Sequence, residues 1–435
     1  MKRIWLLFGL WIAGKAQVLT LNDAVALALK NNRGVQSSAL DVAKAGEVSA
    51  ETKTQRFPQL STYVLAGESL TPVDFTIPKG ALGVYPNVGP IPAQNSSIST
   101  PQSFNGLIYA SAAQPVTQLR KIGLAVRESR IGEELATESL RQKKQDTAHQ
   151  VKQAYYQIVQ TQTQISSARE SLKYLTELAA VTDRNLAQQT VLKSDSLNVK
   201  AKLSQQRYQL LVLEDTLASQ KEVLNRLLGR DLTADFSVED QPLPTPEELD
   251  LAEARKEAAA QRSEIREASL QTKKTELDVR REHAEYLPDI SLQLSYISLP
   301  NISFAPKNIV SAGFLLQWQP FDWGQKKHKI EELKSTSRQA ALSAQDAEQQ
   351  VMLDVNQKFR RLMEARALLD TQAAVQETER EKLRVMMNQY REKAALLADL
   401  LQEQSLVAQA DSQYQQALAG FWSAKADFDH AVGRD

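Results

Sequence analysis

Proline is absent from three long stretches of this chain: Val116 to Gln241, Glu247 to Leu287, and Phe321 to the C-terminal residue. Glycine is also missing between Glu133 and Leu228. Each residue type interrupts helices for its own reason, proline by removing a donor and clashing with the preceding turn, glycine by conformational entropy. Their joint absence predicts uninterrupted helices. The apolar register agrees. Ile165, Ala168, Leu172, Leu175, Ala179, Thr182 and Leu186 alternate three- and four-residue steps, the seam of a coiled coil. A helix from Val116 to about Leu186 would be roughly 105 Å long at about 1.5 Å per residue, longer than an ordinary globular core, so it needs helical neighbours along its length.

Strand patterns lie where the prolines cluster. In Asp289–Ile297 the residues Ile290, Leu292, Leu294 and Tyr296 alternate with Ser291, Gln293 and Ser295. In Ile309–Gln319 the residues Val310, Ala312, Phe314, Leu316 and Trp318 share one face, and Ser311, Gly313, Gln317 and Gln319 the other, with Leu315 the exception. Both have the period and length of a membrane strand. Gln59–Ala66 and Asn105–Gln114 are weaker candidates. Asn301 to Lys307 reads as a turn, and Gly67 to Phe104 as a long exposed loop.

The two halves of the chain match each other. Asn31–Val35 aligns with Gln261–Ile265, and Phe57-Pro58-Gln59-Leu60 with Leu287-Pro288-Asp289-Ile290, at one fixed offset. Val151-Lys152-Gln153 aligns with Val355-Asn356-Gln357, Leu192–Leu197 with Leu396–Leu401, and Gly229-Arg230-Asp231 with Gly433-Arg434-Asp435, at a second, shorter offset. The change of offset falls in the hairpin loop. Punctuating residues matching in order mark an internal repeat. The expected organisation is a segment 1–16, a first repeat over 17–228, a linker over 229–250 and a second repeat over 251–435.

Segment 1–16 has the pattern of a secretory signal: Lys2 and Arg3, an apolar run from Ile4 to Ala13, then Gly14, Lys15 and Ala16, with cleavage expected after Ala16. The run is too short to span a bilayer as a helix, so an exported chain of this kind enters a membrane only through a β-barrel. Lys+Arg and Asp+Glu are equal at 52 each, which gives no electrostatic reason to expect a nucleic-acid partner. With no cysteine there is no disulfide, thiolate metal site or cysteine nucleophile. His149, His283, His328 and His430 are scattered and lack metal-ligand spacing. No nucleophile motif, phosphate loop or paired-carboxylate motif points to an enzyme or a cofactor. Four strands per chain cannot close a barrel, which implies completion by further copies.

With these features in order, the sequence resembles the outer-membrane efflux protein (TolC-like) family. The resemblance is carried by Leu21-Asn22-Asp23-Ala24 through Asn32, by Gln114-Pro115 and Gln319-Pro320-Phe321-Asp322-Trp323-Gly324, by Tyr390 through Leu401, and by the closing pairs Leu228-Gly229 and Val432-Gly433. It implies a mostly α chain with a small β part: a long α-helical coiled-coil barrel in the periplasm, plus four strands per protomer of a trimeric, 12-stranded outer-membrane β-barrel. It further implies an exit duct of a tripartite efflux or type I secretion system, docked to a periplasmic adaptor and, through it, to an inner-membrane pump. The alternative reading is a soluble periplasmic coiled-coil scaffold or adaptor.

The resemblance also assigns residues. Tyr390 and Asp195 take the positions of a latch pair that holds the periplasmic mouth closed, a phenol donating to a carboxylate. Asp399 takes the position of an aspartate lining the mouth, which by threefold repetition forms a cation-favouring ring; capping of its own helix is an equal reading of the same residue. The family's latch arginine falls at Ala395 and its second mouth aspartate at Gln402. Gln189 and Lys393 stand where the family has its turn glycines, at the tips that contact the adaptor. Pro115 and Pro320 are expected to begin the long helices. Trp318, Trp323, Tyr109 and Tyr296 are candidates for an aromatic girdle. Lys326, Lys327, His328 and Lys329 read as a solvated helix start near anionic head groups.

Overall fold

The computed structural model describes residues 17–434 except 69, 72, 101–103, 190, 240–249, 301–305 and 393. The expected signal segment, the prolines of the linker, most of the second hairpin turn and Lys393 therefore lie outside the described residues.

The first repeat runs β1 (Gln17–Leu19), α1 (Leu21–Asn31), α2 (Arg33–Thr54), β2 (Gln59–Glu68), β3 (Val73–Ile77), β4 (Val84–Tyr85), β5 (Gly89–Pro90), β6 (Ser96–Thr100), β7 (Phe104–Pro115), α3 (Leu119–Ala187) and α4 (Lys193–Leu227). β8 (Phe236–Val238) follows. The second repeat runs α5 (Leu251–Gln261), α6 (Ser263–Ala284), β9 (Asp289–Ser298), β10 (Asn308–Gln317), α7 (Gln325–Arg391) and α8 (Leu397–Val432). Helix α3 has 69 residues and α7 has 67, the unbroken helices that the missing prolines require. Ile165, Ala168, Leu175 and Thr182 of the predicted seam are buried.

Two details differ from the sequence reading. The segment 67–104 is built of two short antiparallel pairings, β3 with β6 and β4 with β5, rather than being one loop. Neither Pro115 nor Pro320 is the first helical residue. Pro115 ends β7, and the chain continues through Val116 and Thr117, whose amides both reach the Ile290 carbonyl before α3 begins. After Pro320, Asp322 starts α7 instead: its carboxylate accepts from Gly324 N at 3.1 Å and Lys326 N at 3.0 Å, satisfying donors that the helix start leaves open.

The described residues form two compact units. One comprises the residues up to Ala43, Glu134–Leu270 and Ala341–Asp435; the other comprises Lys44–Glu133 and Gln271–Ala340. Each unit therefore combines parts of both repeats.

The first unit holds two apolar cores of like design. Ala24 and Ala28 of α1 lie with Val151, Tyr155 and Ile158 of α3, and with Leu224, Leu228 and Phe236. Ala254 and Ala258 of α5 lie with Val351 and Val355 of α7, and with Phe428, Ala431 and Val432 of α8. An alanine pair at i, i+4 keeps one face of each short helix flat, so the long helix approaches closely. Trp422 packs against both cores and stacks on Tyr156 at 5.9 Å. In the first core the Tyr155 hydroxyl donates to Leu19 O at 2.9 Å and accepts from Glu239 N at 3.0 Å, clamping β1 and β8, which pair in parallel.

Each repeat is closed by the same joint. The chain breaks between α1 and α2 at Asn32, whose amide group donates to Leu227 O at 2.9 Å while its carbonyl accepts from Gly34 N. Arg262 occupies the same break between α5 and α6 and donates to the carbonyls of His430 and Ala431 at 3.3 and 3.1 Å. Gly229 and Gly433 follow the last helix of each repeat at φ +69° and +87°. A Cβ at Gly229 would fall inside the Asn31 carbonyl, which only glycine avoids. The Gly229→Ala variant should lose more than about 1 kcal/mol, from left-handed backbone strain added to the clash; thermal unfolding followed by the helical circular-dichroism signal checks this.

Candidate functional site: the two-faced sheet and the helix-hairpin tips

In the second unit β10, β9, β7 and β2 form one four-stranded antiparallel sheet in that order. The register joins both repeats, with Ser111 of β7 opposite Ser295 of β9. Alternation then sorts every side chain onto one of two faces. One face carries Leu60, Val64, Ile108, Leu292, Leu294, Val310, Phe314 and Leu316. Along β9 this is the more exposed face, with Leu292, Leu294 and Tyr296 exposed and Ser291, Gln293 and Ser295 half-buried. The other face carries a row of serines in register across all four strands. Ser61 and Ser111 are hydrogen bonded at 2.8 Å, and Ser295 and Ser311 at 2.7 Å. Its one charged residue is Asp289, at the start of β9, which pairs with Lys121 at 2.8 Å.

The aromatic candidates divide between the two faces. Tyr296 stands on the apolar face, with its hydroxyl donating to Asn308 Oδ1 at 2.8 Å. Tyr109 stands on the serine face, where Gln293 donates to its hydroxyl at 3.2 Å. Tyr109 is thus not part of a girdle on the apolar side, because its register pairs it with Ile297 and Tyr63 on the opposite face. Trp318 and Trp323 are both exposed, Trp323 at 88% and in a left-handed conformation with φ +56°, edge-on to Phe321.

The hairpin tips belong to the first unit. In the first, α3 ends at Ala187, and Gln189 takes φ +58° while its amide donates to Leu186 O at 3.0 Å. This is the conformation for which glycine is the usual residue, so the chain makes the turn with glutamine at a backbone cost. Helix α4 then starts after Leu192. The Asp195 carboxylate, at the third helical position, accepts from Leu192 N at 3.3 Å. In the second tip Asp399 accepts from Leu396 N at 3.4 Å in the same way. Leucine has no acceptor, so only the carboxylate half of a capping box exists at each tip. Asp195 and Asp399 are therefore repeat equivalents doing one local task.

Tyr390 is half-buried near the second tip. Burial, and after it the Asp195 charge, push its phenol above the usual tyrosine value. The carboxylate thus opposes ionisation of the phenol, and no hydrogen bond joins the two side chains within the chain. Tyr174 of α3 completes the cluster: burial raises its phenol, Tyr390 adds to this, and Arg391 opposes it. Between α3–α4 and α7–α8 lies a groove of about 470 Å³, lined by Tyr174, Gln206, Leu383, Met387, Gln404 and Asp411 among others.

Sequence reasoning passed over Tyr174, Leu192 and Leu396. The leucines are each 70% exposed, one at each tip. An apolar residue three positions before the capping aspartate, repeated at the same place in both halves, was the available signal.

Among the described residues no helix is long and apolar enough to cross a membrane. The fold is that of TolC-like channels. Solved structures that share it include the outer-membrane channel OprN (TM-score 0.77, 19% identity, covering 95% of this chain and 90% of that one). They also include the outer membrane protein VceC of Vibrio cholerae (0.76, 14%, 95% and 96%) and the open state of the Neisseria gonorrhoeae MtrE outer membrane channel (0.74, 16%, 95% and 89%). At these identities the likeness establishes the fold. Residues 24–230 match the outer membrane efflux protein family model, so the family resemblance read from the motifs is shown over the first repeat. No curated protein sequence matches significantly.

The strained tip yields a direct prediction. Gln189→Gly removes the left-handed penalty of about 1 kcal/mol, partly offset by the greater freedom of glycine when unfolded. Amide exchange over residues 186–192 should slow in the variant; faster exchange would show that the glutamine side chain itself holds the turn.

Proposed function

We propose that this chain is one protomer of a homotrimeric outer-membrane exit duct, a conduit and not an enzyme. It would serve a tripartite efflux or type I secretion system and pass substrates received through a periplasmic adaptor from an inner-membrane pump. The observation that carries this reading is the sheet. One face is apolar and suited to lipid, and the other is crossed on all four strands by a serine row suited to water, alongside Leu65, Leu107, Ile297, Ile309 and Leu315. The outer strands β2 and β10 each have one neighbour within the chain. Open edges in hydrocarbon leave amides and carbonyls unsatisfied at several kcal/mol each, so insertion requires that β10 of one copy pair with β2 of the next. Three copies supply twelve strands, enough to close a barrel around water. The long helices carry Lys, Glu and Gln along their surfaces and belong in the periplasm.

In this reading the tips form the periplasmic mouth. Tyr390 and Asp195 are the latch, and Asp399 repeats as a carboxylate ring at the mouth. Gln189 and Lys393 mark the tips that meet the adaptor, with Leu192 and Leu396 offering it two apolar contact points. A linker over 229–250 joins the repeats.

Planar-bilayer recording of the detergent-extracted protein, with its mass measured first, tests the assignment. A trimer should give discrete conductance steps; a protein that stays water-soluble and never inserts would reject the duct and favour a coiled-coil scaffold. Tyr390→Phe and Asp195→Ala should each raise single-channel conductance, and unchanged conductance in both would remove the latch. Asp399→Ala should move the reversal potential in a salt gradient toward that of a non-selective pore, since each protomer then loses one carboxylate from the ring.

A further inference from the structure

His149 on α3 and His430 on α8, far apart in sequence, are stacked in the first unit. Their ring centroids are 4.7 Å apart and their planes inclined by 33°. Each ring is held by a carboxylate. His430 Nε2 lies 3.0 Å from Asp146 Oδ1, and His149 Nε2 lies 3.3 Å from Asp427 Oδ1. Asp427 is shared: Gln153 donates to its Oδ1 at 2.8 Å, and Lys358 of α7 pairs with its Oδ2 at 2.7 Å. Gln153 in turn bonds the Ser423 carbonyl and hydroxyl. One polar network thus ties α3, α7 and α8 together. His149 Nδ1 is buried without a hydrogen-bond partner, and the Ala426 backbone favours the charged form of the ring.

We propose that the His149–His430 stack is an acid-sensitive clasp between α3 and α8, closed while His149 is neutral and loosened when His149 takes up a proton. A second proton creates a cation stacked on the other imidazole in a partly buried seam, with Lys358 close by. The charged groups facing the pair are Asp146 on α3, Lys358 on α7, Asp427 on α8, and Arg262 before α6, which reaches the His430 carbonyl. Asp427 and the Ala426 backbone favour the cation. Burial, the largest effect, together with His430 and Lys358, outweighs them and holds His149 below its ordinary value. The closed seam therefore binds this proton more weakly than a histidine released to water. Its contribution to stability is complete above the ordinary histidine value of about 6.5 and is lost as the pH falls from there through the lowered value. This argument does not depend on whether the chain forms a pore.

Hydrogen exchange of the purified full-length protein in detergent, corrected for the intrinsic pH dependence of exchange, reads the clasp through the amides of residues 424–432. Wild-type protection should fall between pH 7.5 and 5.5, by up to about tenfold for each unit by which the pKa is displaced. His149→Gln, neutral at both pH values, should abolish the fall, and His430→Gln should reduce it. Equal wild-type protection at the two pH values, or a fall that persists in His149→Gln, would overturn the proposal. Should His149→Gln not assemble, His430→Gln decides: a fall as large as in the wild type excludes the stack as its cause.

Discussion

The backbone of four strands governs this molecule. A sheet of order β10-β9-β7-β2 leaves a row of donors and acceptors along each outer strand. One of its faces exposes Leu60, Val64, Val310, Phe314 and Leu316. In water such a sheet is an aggregation template, and in lipid its edges are costly. Closure with further copies of the same chain, as proposed, would solve both problems. The serine row, set in register by contributions from both repeats, carries uncharged hydroxyls across the middle of the other face, and the one charge there, Asp289, is paired with Lys121.

The duplication behind this sheet also shows how one structural task is met by different chemistry. Both repeats must satisfy the last carbonyls of their closing helix where the short helix breaks. The first uses the neutral amide of Asn32. The second uses Arg262, whose guanidinium is largely buried and is neutralised by Glu264 at 2.7 Å and Asp354 at 3.3 Å. A charged donor makes stronger bonds but needs these partners, because an unpaired buried cation is far costlier than an unpaired amide. At this joint the positions match while the residues differ, so the repeat shows here in its glycines and not in its capping side chains.

What was legible in the sequence follows the same division. Local rules act alone on Asp289–Ser298 and Asn308–Gln317, where alternation fixes the faces, and on α3 and α7, where nothing interrupts the helix. These features were readable directly. Tyr109 was misplaced because its face is fixed by pairing with β2 and β9, not by aromatic character. Segment 67–104 looked like loop because strands of two to five residues are too short to show a period. The helix starts at Pro115 and Pro320 were shifted because Thr117 and Asp322 bind backbone groups that sequence position does not reveal. The stacking of His149 on His430 joins distant segments and has no local signature.

The tips show how a local and an assembled role combine in one side chain. Asp195 and Asp399 each use a carboxylate oxygen to satisfy a helix-start amide, and the geometry is long, at 3.3 and 3.4 Å. A carboxylate has further acceptor sites, so capping leaves room for a phenol. Within the chain no hydrogen bond joins Asp195 to Tyr390, and the carboxylate opposes ionisation of the phenol. In the proposed duct, a latch from this pair would be one phenol–carboxylate hydrogen bond per protomer. Three such contacts in a trimer would give a closed state that a docking partner could open with modest binding energy. A buried ion pair in the same place would hold more firmly, but would leave an uncompensated charge on every opening. Ala395, where the resemblance places the family's latch arginine, fits the same reading: the proposed latch would be readily displaced and not strong.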